Sequence, residues 1–150
     1  MDPLETMLLA IGPRDDDQVD RLAETVLQVA GPTGATVVLA HVFTDDQYEE
    51  TVTELGYDST AQVVVEDVLQ RHETVLRYEE LFDEADVDWE VRGIVGDVSS
   101  GIVELAASTD ADRVVVSGRR RSPTGKAVFG STAQDVLLNA PCPVTYVQAR

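Results

Sequence analysis

The chain has 150 residues, 43% of them apolar, and carries a net charge of −17 from 28 acids against 11 bases. That length supports one sizeable core, and the apolar share excludes a disordered chain. No run approaches the roughly 18 apolar residues of a membrane span, and a surface this acidic repels the phosphates of nucleic acid.

Met1 to Thr6 contains Asp2 and Glu5 and no base, the wrong chemistry for a secretory leader, so a cytoplasmic protein is expected. Thr6 to Ile11 (TMLLAI) is a short apolar run closed by Gly12-Pro13 and reads as a first buried strand. Asp15, Asp16 and Asp17 then complement a helix N-terminus. Val19, Leu22, Ala23, Val26, Leu27 and Ala30 form one face of that helix at a 3.6-residue period, and Gly31-Pro32 is expected to stop it. Ala35 to Phe43 (ATVVLAHVF) is nearly continuous in apolar residues, as in a parallel strand covered on both faces.

Thr44 to about Asp58 is acidic without a firm period and reads as a loop, at most with a helical turn. Ala61 to Ala85 holds Val64, Val68, Leu69, Val75, Leu76, Leu81 and Phe82 and predicts one long amphipathic helix. Val87 to Val95 alternates more cleanly and reads as an edge strand, with Trp89 as packing. Gly96-Asp97 supplies a turn and an N-cap for a helix burying Ile102, Val103, Leu105 and Ala106. Arg113 to Ser117 is a fourth strand, Gly118 to Lys126 a loop, Phe129 to Asn139 a helix, and Pro143 to Gln148 the last strand. Cys142 is the single cysteine, which rules out an internal disulfide, and between two prolines it reads as a small buried residue.

Strands alternating with helices imply a single α/β domain over 1–150, with a parallel, doubly wound sheet. Ligands of such sheets bind beyond the carboxyl ends of the strands where the strand order reverses, here after strands one and four. Strand four runs into Arg119, Arg120 and Arg121, with Lys126 following, and then into Gly130-Ser131-Thr132 at a helix start. Guanidinium forks match phosphate oxygens, and a helix N-terminus offers backbone N–H groups. The loop is thus expected to take an anion. The bland alternative is that the arginines neutralise nearby carboxylates.

A phosphate-loop NTPase is excluded by spacing. Six residues separate Gly118 from Gly125, and Ala127 follows Lys126 where a hydroxyl should hold magnesium. His41 and His72 stand outside any metal-ligand pattern. His41 reads as a partly buried, hydrogen-bonded residue near the cleft, and His72 as a surface residue within a helix. Ser131 lacks the context of a nucleophile elbow. No general base or nucleophile stands out, so an enzyme is not expected. Lys126 is the only lysine, and the acids are scattered. That composition suits a salt-rich cytoplasm, the competing reading being a dedicated cationic partner.

Asp112 to Val116, the loop, Gly130-Ser131 and Ala140-Pro141-Cys142-Pro143-Val144 resemble the C-terminal half of universal stress proteins. His41-Val42 and Gly96-Asp97 fit the same resemblance. It implies a five-stranded parallel sheet of order 3-2-1-4-5, adenine nucleotide alpha hydrolase-like, of the type found in halophiles. It also implies a homodimer formed through the last strand, with Val144, Tyr146 and Val147 at the contact. One branch of the family binds ATP through a loop of pattern G-x2-G-x9-G-S/T. On this chain the pattern falls on Ser117, Arg120, Gly130 and Ser131, so the first two glycines are replaced, although Gly118 lies one place along. The aspartate that holds the nucleoside in that branch is replaced by Pro13 or Arg14.

The implied cleft consists of Ile11, Gly12, Pro13, Val42, Val116, Ser117, Gly118, Arg119, Arg120, Gly130, Ser131 and Thr132. Its implied ligand is ATP, another adenine nucleotide or a bound anion. The alternative within the family is an ATP-independent interaction module. A flavoprotein-like enzyme domain lacks its extra cofactor-binding regions here.

Overall fold

A buried strand opens the fold: β1 (Thr6–Ala10) carries Met7, Leu8, Leu9 and Ala10, all inside. The computed structural model describes residues 3–12, 15–56, 64–118 and 130–148. After a 3-10 turn over Asp15–Gln18 comes α1 (Val19–Thr33), then β2 (Thr36–Phe43) and α2 (Asp45–Glu54). Two helices follow, α3 (Val65–Leu69) and α4 (Glu73–Glu84), then β3 (Trp89–Val95) and α5 (Val98–Ser108). The chain ends with β4 (Arg113–Gly118), α6 (Ser131–Asn139) and β5 (Val144–Gln148).

Every strand pairs in parallel, in the order β3-β2-β1-β4-β5, so the sheet is wound outward in both directions from β1. Alternation along the strands divides the core into two layers. Met7, Leu9, Val37, Leu39 and Phe43 face α1 and α4, meeting Leu22, Val26, Tyr78 and Phe82. Leu8, Ala10, Val38, Ala40, Val114 and Val116 face α5 and α6, meeting Ile102, Leu105 and Val136. Burying each of the larger side chains contributes about 1.5–3 kcal/mol. Asp112 fastens the amino ends of β1 and β4, its Oδ2 accepting from the Glu5 and Thr6 amides at 2.9 and 3.0 Å.

Three local expectations are corrected. Gly31-Pro32 does not stop α1. Pro32 lies within the helix, and the stop is Gly34, whose φ of 71° is left-handed and whose N–H returns to the Ala30 carbonyl. The segment after β2 is a helix, not a loop. Thr44 Oγ1 accepts from the Gln47 amide at 3.2 Å while Gln47 Oε1 accepts from the Thr44 amide at 3.1 Å, a reciprocal cap. None of the residues of α2 is buried, so the helix has no apolar period to read.

The long helix expected over 61–85 is two helices within the described residues. Its apolar series lapses at Gln70-Arg71-His72, and His72 takes an extended conformation as the cap of α4 instead of a mid-helix place. The break lets α3 lie on β3 while α4 packs against α1. Trp89 is half-buried and donates from Nε1 to Asp83 at 2.8 Å, which settles it as packing.

Candidate functional site

The sheet order reverses at β1, between β2 and β4, so the crevice opens beyond the carboxyl ends of β1 and β4. Ile11 continues β1 by donating its N–H to the Ala40 carbonyl at 2.8 Å, and its side chain is buried. Gly12 follows, half-buried. His41 Nδ1 lies 2.7 Å from the Ile11 carbonyl. A carbonyl only accepts, so Nδ1 carries the proton. The imidazole is held edge-on to Phe43, with ring centroids 4.4 Å apart, and lies 6.4 Å from the exposed His72 ring. His41 is thus the partly buried, bonded residue expected from its position.

Beside this clamp is a hollow of about 180 Å3 whose lining includes Ile11, Gly12, His41, Phe43, Gln47 and His72. Clefts that enclose a drug-sized ligand run to roughly 300–1,000 Å3, so this one is sized for a ring, not for a whole nucleotide. A larger hollow of about 400 Å3 lies between α1 and α4 against Ala23, Leu27 and Leu81. It is an open groove away from the strand ends, and we give it no part in the site. The hollow beside His41 was missed in the sequence. The Thr44–Gln47 cap that brings Gln47 to its wall was the one signal for it.

On the other side of the crevice, β4 ends in Ser117 and Gly118, both half-buried. Gly130 caps α6 with extended backbone and no side-chain bond, leaving Ser131 and Thr132 exposed in the first turn. That turn presents N–H groups without intrahelical partners, and the helix dipole adds partial positive charge. Val42 and Val116 are 3% and 4% exposed, so only their backbone can meet a ligand. Val42 lies directly under α5, where a Cβ on Gly101 would come within 2.7 Å of its methyl groups. Pro13, Arg119, Arg120 and the rest of the arginine-bearing loop lie outside the described residues.

The start of α5 forms a polar corner near β3. Asp97 accepts from the Ser100 amide at 3.0 Å and hydroxyl at 2.7 Å, and Ser99 Oγ lies 3.2 Å from both Asp97 and Asp135 of α6. The Ser100 hydroxyl bond first, then the Ser100 amide and Ser99, hold the Asp97 carboxyl below its usual range. Cys142 is half-buried rather than fully enclosed. Burial first, then the Asp112 charge, push its thiol up against the opposing pull of Arg113, so it is no nucleophile. Among the described residues, no group of three His, Cys, Asp or Glu is placed to hold a metal, and no helix is long and apolar enough to cross a membrane.

A parallel sheet reversing at β1 with helices on both faces defines a doubly wound α/β protein. The universal stress protein family model matches residues 3–148, and the chain belongs to that family. A universal stress protein of Mycolicibacterium smegmatis is 40% identical over 63 residues, covering 41% of this chain and 48% of the relative, about half its length. The solved universal stress protein from Archaeoglobus fulgidus superposes with a TM-score of 0.70 at 25% identity, covering 95% of this chain and 98% of that one. A universal stress protein from the same organism, solved in complex with dAMP, gives a TM-score of 0.65 at 20% identity over 95% and 97% of the two chains.

Proposed function

We propose that this protein is a non-enzymatic stress-response protein of the cytoplasm that binds an adenine nucleotide, or a related phosphate anion, in the crevice after β1 and β4. The observation that carries this reading is the reversal of the sheet at β1, with β4 ending at Gly118 and α6 starting at Gly130 without a side-chain cap. The ring-sized hollow behind Ile11 and Gly12 is the place for a base, and the dAMP complex of a structural relative supports the same ligand class. The test is calorimetry with ATP, AMP and inorganic phosphate in molar KCl, on the native chain and on Arg120→Gly. Micromolar binding of AMP or ATP is expected, weakened about tenfold by Arg120→Gly if the guanidinium clamps phosphate. Tighter binding by Arg120→Gly would show that the arginine obstructs the loop. Absence of binding in both forms would defeat the nucleotide reading.

One observation favours the second reading, an ATP-independent interaction module. The first two pattern glycines are replaced by Ser117 and Arg120, and the glycine one place along, Gly118, is covered by an aromatic ring.

Under either reading the protein works as a homodimer through β5. This strand is an outer strand of the sheet, and α6 beside it exposes Leu138 at 75% and Leu137 at 41%. An unpaired outer edge flanked by exposed leucines invites a second copy. Val144 and Tyr146 are half-exposed and fit such a contact, while Val147 is already buried in the chain's own core. Light scattering at tens of micromolar is expected to give twice the chain mass, 32.6 kDa against the 16.3 kDa of one chain. A clean monomer would contradict this.

A further inference from the structure

The hollow beside His41 has a polar end, and the start of α4 supplies it. His72 caps that helix without a side-chain bond, and the helical ladder begins with Leu76 donating to the His72 carbonyl at 3.0 Å. The N–H groups of Glu73, Thr74 and Val75 therefore have no partner among the described residues. Their dipoles put partial positive charge at this end of α4. His72, Thr74 and Val75 all line the hollow.

The side chain of Thr74 adds an independent signal. Thr74 is 9% exposed and, tyrosine aside, is the one polar side chain buried among the described residues. Its hydroxyl bonds to no described residue, and it stands in the wall of the hollow. Valine would fill the same volume without the cost of taking a hydroxyl out of water. Buried hydroxyls in folded proteins find partners, and the open space in reach of this one is the hollow.

The remaining walls fit a flat ring. Ile11, Phe43, Leu69 and Val75 are buried and apolar. Gln47 adds a second donor: its Oε1 is taken by the Thr44 amide at 3.1 Å, which leaves the NH2 end of the side chain unspent among the described residues. The hollow thus joins apolar sides to an end rich in donors. Purine ring nitrogens are acceptors on the edge of such a ring.

We propose that Thr74 is a base-reading residue, its hydroxyl donating a hydrogen bond to a ring nitrogen of the bound purine while the start of α4 faces the same edge. Ile11 and Gly12 belong both to this hollow and to the end of β1, so the base enters from the crevice side. This inference rests on the nucleotide reading above and deepens it by naming the side chain that recognises the base.

The experiment is calorimetry in molar KCl with AMP and with adenosine, on the native chain, Thr74→Val and Thr74→Ser, joined by thermal melting of all three without ligand. Thr74→Val breaks no bond in the empty protein, so its melting temperature is expected to equal or exceed that of the native chain. Its affinity for AMP and for adenosine is expected to fall alike, by about tenfold, the scale of leaving one buried acceptor unpaired. Thr74→Ser keeps the donor and is expected to bind both within about twofold of the native chain. A Thr74→Val chain that melts several degrees lower would show a structural hydroxyl and overturn the assignment. Unchanged affinities in Thr74→Val, or a loss for AMP without one for adenosine, would overturn the base contact while leaving nucleotide binding in place. An equal loss in Thr74→Ser would overturn it as well. A native chain that binds neither AMP nor adenosine would overturn the nucleotide reading and this inference together.

Discussion

Gly118→Ala is expected to destabilise the protein by about 2–3 kcal/mol, the scale of overpacking a filled site, even though alanine suits a strand better than glycine does. The methyl group would lie 1.6 Å from the Tyr146 hydroxyl and 2.1 Å from Cζ, far inside van der Waals contact. Moving only the hydroxyl does not relieve that overlap. The ring has to swing off β4, uncovering Val116 and Val144 in the layer beneath. Tyr146→Ala alone is expected to cost about 2 kcal/mol in lost burial. The two changes together should cost much less than their sum, because removing the ring removes the three atoms nearest to the new methyl group. A coupling of about 1–3 kcal/mol is expected from a denaturant-unfolding double-mutant cycle. Strict additivity would show that ring and glycine are not in contact.

The second large effect is that of salt. With a net charge of −17, most carboxylates have no cationic partner. Ion pairs among the described residues, Arg77 with Asp20 at 3.3 Å and with Glu80 at 3.4 Å and Arg92 with Glu90 at 3.4 Å, lie on exposed side chains. Such pairs are individually worth little. Repulsion among the remaining acids weakens the folded state, and the screening length shrinks from about 10 Å at 0.1 M to about 3 Å at 1 M salt. Raising KCl from about 0.1 to 2 M is expected to raise the melting temperature by roughly 10 °C, equivalent to about 3 kcal/mol for a chain of this size. A flat melting temperature across that range would argue against salt adaptation and leave the acidic surface to a cationic partner.

These two predictions differ in how far ahead of the structure they could be made. The salt response is legible in the residue counts alone, because screening acts on net charge wherever the charges sit. The Gly118 effect depends on a side chain 28 positions away in sequence, brought over β4 by parallel pairing. Spacing along one chain carries no information about a contact of that kind. The two readings also differ at Tyr146, which looks in the sequence like one residue of a last strand suited to dimerisation, and in the fold also covers Gly118 at the end of β4.

Local patterning determined the strands and the helices α1, α5 and α6, since each buries a face whose period, 2 or 3.6 residues, is written in the order of apolar residues. It also determined the alternation from which a parallel, doubly wound sheet and a crevice after β1 and β4 follow. Tertiary structure decided the rest: where α1 ends, the break that sets α3 on β3 and α4 on α1, and the hollow behind Ile11 that His41 and Gln47 enclose. Those features arise from which surfaces meet. Pro32 is accommodated because it lies one residue before the end of α1, so the hydrogen bond it forgoes falls where the helix stops and does not split it, and Val42 offers only its backbone because α5 presses Gly101 upon it.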